Sequence, residues 1–75
     1  METYAVVLVE STNQAMRIEH VLHLARIESK LIPVPKFLSS ACGNCLKINP
    51  EDIEKVRDVV RKNKIIVPPI ETIQM

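Results

Sequence analysis

Tyr4-Ala5-Val6-Val7-Leu8-Val9, followed after Glu10 by Ser11-Thr12-Asn13-Gln14, is the stretch on which the fold turns. The first run is apolar at odd and even positions alike, so a strand made from it has two faces to bury and belongs in the middle of a sheet. The second run is a helix start. The Ser11 hydroxyl can accept from the Gln14 backbone N–H while the Gln14 side chain reaches back, which is a capping box. Ala15, Ile18, Leu22 and Ala25 then recur at helical spacing with Val21 beside them, and Arg17, His20 and Arg26 fall on the wetter side. A helix ending near Ile27 is predicted.

Outward from that unit, Lys30-Leu31-Ile32-Pro33-Val34-Pro35 reads as a short strand whose proline removes a ladder donor and so places it at a sheet edge. Phe37 to Asn44 reads as a loop, and Cys45-Leu46-Lys47-Ile48 as the next strand. Asn49 then serves as N-cap, Pro50 as the first helical residue, and Glu51 and Asp52 as acidic first-turn residues. This second helix buries Ile53, Val56, Val59 and Val60. Glu51 with Lys55 and Asp58 with Lys62 are spaced for favourable ion pairs, and Asn63 closes the helix in the left-handed region. Lys64-Ile65-Ile66-Val67 begins a last strand, interrupted by Pro68-Pro69 before Ile70-Glu71-Thr72-Ile73. The order is β-α-β-β-α-β. That is the α+β ferredoxin-like split arrangement: a four-stranded antiparallel sheet, first and third strands central, with two helices on one face. Both proline-bearing strands fall at the predicted edges. The uncovered face of the first strand is still apolar, which suggests a second copy or a partner against it.

Size and composition bound what such a domain does. Seventy-five residues allow a single domain, 1–75, and leave little room for a deep substrate cleft. The chain is 47% hydrophobic and 25% charged, an ordinary folding balance, with Tyr4 and Phe37 the only aromatics. A net charge of +1 with interspersed signs gives no extended field for nucleic acid or an anionic membrane surface, so neither is an expected partner. Met1-Glu2-Thr3-Tyr4 ahead of a short apolar run lacks the basic flank of a signal peptide and the length of a membrane span. The expected compartment is the cytosol. There thiols are kept reduced, and two cysteines close in sequence read as a reactive, redox or metal-binding pair before they read as a structural staple.

That pair sits in Ser39-Ser40-Ala41-Cys42-Gly43-Asn44-Cys45, the segment that does not read as scaffold. Gly43 permits backbone conformations that a Cβ resists, and Gly43-Asn44 suits a tight turn with Cys42 and Cys45 at its two ends, near enough to bridge without being obliged to. Turn amides near a sulfur favour thiolate, the form that attacks sulfur electrophiles. Ser39 and Ser40 read as turn formers, since no His or acid stands at a triad spacing. The Cys-x-x-Cys is half of a four-ligand zinc site and needs His20 and His23, or a second subunit, to complete it, so no metal is assigned.

Glu10-Ser11-Thr12, Ile32-Pro33-Val34-Pro35, Leu38-Ser39-Ser40 with Cys42-Gly43, and Asn49-Pro50-Glu51-Asp52 together resemble a family of small selenium/sulfur carrier protein-like domains over nearly the whole chain. Ser-Ser-x-Cys-Gly is the distinctive element. The resemblance implies a carrier, not a stand-alone enzyme, that holds sulfur or selenium on Cys42 as a persulfide or its analogue. It would work without a cofactor between a cysteine desulfurase-like donor and an acceptor protein, with Ser39, Ser40, Gly43 and Asn44 as the expected binding residues around the thiols. Cys45 departs from the family pattern, and could resolve the carried sulfur or turn the pair to disulfide exchange. Two other classes stand beside the carrier: a thiol-disulfide or metal-binding module using both cysteines, and a structural adaptor with a dimerising sheet.

Overall fold

The computed structural model describes residues 3–38 and 42–74. Its elements are β1 (Thr3–Val7), α1 (Thr12–Leu24), β2 (Ser29–Pro33), β3 (Asn44–Ile48), a single 3-10 turn (Pro50–Asp52), α2 (Ile53–Lys62) and β4 (Ile70–Gln74). The strands form one antiparallel sheet in the order β2-β3-β1-β4, so β1 and β3 are central as the sequence predicts.

Packing follows the two-residue period of the central strands. Ala5, Val7 and Val9 from β1 and its continuation, with Leu46 and Ile48 from β3, meet Ala15, Ile18 and Leu22 of α1 and Val56 and Val60 of α2 in the main core. Intervening residues face the other way. Val6, Cys45 and Ile73 form a second buried cluster, fringed by Tyr4, Leu8, Ile32, Val34 and Leu38. Val6 and Val7 are both fully buried, each contributing about 1.5–3 kcal/mol relative to exposure.

The capping box forms with one change of partner. Gln14 N–H donates to the Ser11 hydroxyl at 3.1 Å, and the Gln14 side-chain oxygen accepts from the Glu10 N–H at 2.6 Å. α1 ends at Leu24, short of Ile27, because the chain turns left-handed at Arg26 (φ 61°). The Arg26 N–H then donates to the His23 carbonyl and the Ile27 N–H to the Leu22 carbonyl, which together make a Schellman motif. α2 closes the same way one residue later than expected. Asn63 stays right-handed (φ −91°), Lys64 takes the left-handed position (φ 60°), and the Lys64 and Ile65 N–H groups donate to Arg61 and Val60. Pro50 opens a 3-10 turn and not the α-helix itself, and Lys55 pairs with Asp52 at 3.9 Å, while Lys62 pairs with Asp58 at 3.1 Å as its spacing suggests.

Two strand assignments change. Lys64–Val67 is not strand: the second Schellman motif draws Ile65 back under the helix, where it is 8% exposed. Pro68 and Pro69 precede β4 and do not interrupt it, and the Pro69 carbonyl accepts from the Leu8 N–H at 2.8 Å. β2 begins at Ser29 and ends at Pro33, which lies opposite Asn44 on the sheet edge.

Left-handed backbone costs an L-residue roughly 1–2 kcal/mol and glycine almost nothing, against a smaller entropic loss for glycine. Arg26→Gly and Lys64→Gly are each expected to raise stability by about 0.5–1 kcal/mol, additively, in urea unfolding. An unchanged or lower midpoint would contradict this account of the helix ends.

Candidate functional site

Past Val7, which pairs with Leu46, β1 and β3 part. Cys42 occupies the gap. Its side chain is half-buried against the main core, and its Sγ lies 3.6 Å from the Val9 carbonyl oxygen and 3.3 Å from that of Asn44. Only an S–H can donate to a carbonyl, so these contacts belong to the protonated sulfur. Gly43 follows at φ 78°, a region L side chains rarely adopt, and an added Cβ there would meet nothing within 4 Å. Backbone conformation, not crowding, is what glycine answers at this position. Its carbonyl accepts from the Val34 N–H at 3.0 Å, tying the approach to β3 onto the end of β2.

Cys45 is placed differently from the turn expectation. Asn44 and Cys45 are already strand, paired with Pro33 and Ile32, so the two thiols do not bracket a turn. The reason is the β2–β3 ladder, which reaches one residue further than the Gly-Asn pattern suggests and leaves Cys42 and Gly43, among the described residues, as the bend before it. Alternation along β3 points Cys45 into the cluster with Val6 and Ile73, fully buried, while Cys42 packs on the helix side. Burial pushes the Cys45 thiol upward from its ordinary value, and the neighbouring Cys42 sulfur adds to the effect. Among the described residues neither cysteine is in a disulfide.

Of the other sequence-chosen residues, Asn44 contributes its carbonyl to Cys42 and Gly43 the bend, whereas Ser39 and Ser40 lie outside the described residues. His20 and His23 line a groove on α1 with Met16, Glu19, Ile27 and Glu28. Among the described residues no three His, Cys, Asp or Glu side chains are placed to hold a metal ion, and no helix is long and apolar enough to cross a membrane. Sequence reasoning missed Val9, whose part is played by its backbone carbonyl. Residue identity carries no signal for such a role.

Two outcomes follow for the thiols. Alkylation of the folded protein should add one label, at Cys42, and a second only after denaturation; early double labelling would contradict the burial of Cys45. A thiol raised on folding contributes stability that is fully present below its unfolded value, near 9.0, and is lost as pH rises through the folded one. The stability difference between wild type and Cys45→Ala should therefore narrow above pH 9.0 in unfolding curves, and a difference that stays constant would count against it.

No curated protein and no solved structure is similar enough to the chain to count as a match. A protein family does match, over residues 4–70. That span takes in both cysteines, both helices and three of the strands, and the resemblance read from Ser-Ser-x-Cys-Gly points to the same place. The chain belongs to the family described as "Putative Se/S carrier protein-like".

Proposed function

We propose that the protein carries sulfur or selenium on Cys42, as a persulfide or its selenium analogue, from a cysteine desulfurase-like donor to an acceptor protein. The observation that supports this most is the unequal placement of the two thiols. Cys42 is half-buried at the end of the sheet in a bend governed by Gly43, and Cys45 is sealed under the opposite face. Cys42 thus keeps part of its surface toward solvent and Cys45 keeps none, an inequality that supports a single-thiol carrier.

Loading is a sulfur exchange with no net oxidation. The Cys42 proton leaves to solvent; the Cys42 thiolate attacks the outer sulfur of the donor persulfide, a new S–S bond forms, and the donor's inner sulfur departs as thiolate. Delivery repeats the step, with an acceptor nucleophile attacking the outer sulfur and Cys42 leaving. Once loaded, Sγ has no hydrogen to give the Val9 and Asn44 carbonyls. The proton sits on the outer sulfur, about 2 Å further along the side chain. The empty thiol is held inward and the loaded one is released toward the acceptor. Cys45 takes no part, since resolving the persulfide would require it to cross from the other side of the sheet.

Incubation with a cysteine desulfurase and cysteine, followed by mass spectrometry of the intact protein, should show one added sulfur, about 32 Da, on wild type and on Cys45→Ala but none on Cys42→Ser. Equal loading of Cys42→Ser would sink the assignment, and loss of loading in a folded Cys45→Ala would return the second thiol to the mechanism.

A further inference from the structure

The open face of the sheet carries one charged row. Lys30 on β2 lies opposite Lys47 on β3, Lys47 opposite Val6 on β1, and Val6 opposite Glu71 on β4. Residues paired across an antiparallel ladder share a face, and Val6 lies in the cluster away from the helices, so all of this row points to the side of the sheet that no helix covers, with Val6 itself buried among its neighbours. The Lys47 ammonium stands 4.8 Å from the centre of the Tyr4 ring, two residues from Val6 on the same face. Lys30 and Glu71 are exposed at the two ends. Apolar side chains flank the row: Tyr4 on one side, Leu8, Ile32 and Val34 on the other.

We infer that this face is a self-association surface, occupied by a second copy of the chain around a two-fold axis parallel to the strands. The charge order selects the occupant and the axis together. A strand-parallel two-fold reverses β2-β3-β1-β4 and keeps each row in register, so Lys30 of one copy stands over Glu71 of the other, twice, and Lys47 stands over Val6. A two-fold perpendicular to the strands and running along this row lays Lys30 over Lys30, Lys47 over Lys47 and Glu71 over Glu71, so that every charge in the row meets its like. Sheets pack face to face at about 10 Å, a gap that a lysine and a glutamate reaching from opposite sides can bridge. Two like charges directly opposite each other on neighbouring strands, Lys30 and Lys47, disfavour the isolated sheet, and an anionic group brought over them relieves that repulsion. The inference does not depend on sulfur transfer.

Sedimentation velocity across a concentration series tests it. Wild type should dimerise, more weakly at 1 M salt, where exposed charges are screened within about 3 Å. Glu71→Lys and Lys30→Glu alone should each weaken dimerisation roughly ten- to a hundredfold. Mixed in equal amounts, the two variants should form a dimer of near wild-type affinity, because every Lys30–Glu71 contact is then again one of opposite charge. Both positions are exposed, so circular dichroism should show the fold retained, and recovery on mixing cannot come from unfolded chains. A wild type that stays monomeric at millimolar concentration, or a dimer indifferent to both reversals, would overturn the inference; capture of a different protein on this face by a monomeric chain would do so too.

Discussion

β1 is paired along both edges and packed on both faces, and the other elements are arranged around that demand. A strand reading apolar at every position can satisfy its backbone only between two neighbours and its side chains only between two layers. β3 and β4 supply the neighbours, and α1 with α2 supply one layer. The second layer is thinner. Among the described residues, Tyr4, Leu8, Ile32, Val34 and Leu38 from the sheet and the chain just after β2 close over Val6, Cys45 and Ile73 well enough to bury them. The asymmetry between a thick and a thin layer is what gives the two thiols different fates.

At Cys42 the same asymmetry becomes chemistry. The β1–β3 ladder stops at Val7 and Leu46, the backbone bends through Gly43, and the sulfur comes to rest beside two carbonyls at the seam. A hydrogen bond from a thiol is weak, so it holds the side chain without committing it. Three residues on, Cys45 is enclosed by aliphatic groups in a regular strand, where deprotonation is opposed by burial. The spacing Cys-x-x-Cys suggests a matched pair, but a strand that begins inside the motif makes the pair unequal.

Much of the fold was legible because the deciding signals were local. Ser11 with Gln14, Pro50 at a helix start and Pro33 at an edge each report a backbone condition that only certain residues meet. The errors arose where that link fails. Both helices end on a left-handed residue that is arginine or lysine, not glycine, so nothing in Arg26 or Lys64 announces the stop. Ile65-Ile66-Val67 has strand composition, yet the Schellman bond to Val60 sends Ile65 inward and leaves Ile66 85% exposed. The bend beside Cys42 was visible from Gly43; the partners of the Cys42 sulfur were not, since carbonyls belong to every residue alike. Cys45 falls in the strand as read, but the turn at Gly43-Asn44 was misplaced, because the β2–β3 ladder already takes in Asn44.

The division of the sheet into two faces also separates the surroundings of Cys42 from the charged row. Cys42 packs toward the helices and opens at the strand ends, whereas the row from Lys30 to Glu71 crosses the sheet on the other side. A body resting on that row covers Cys45 more deeply and leaves the seam at Val9 and Asn44 uncovered. The Cys42 sulfur then lies at the end of the sheet, beside the bend at Gly43. Under the carrier function proposed above, a donor and an acceptor would each meet the sulfur at that end, so loading and delivery would follow one another and not coincide.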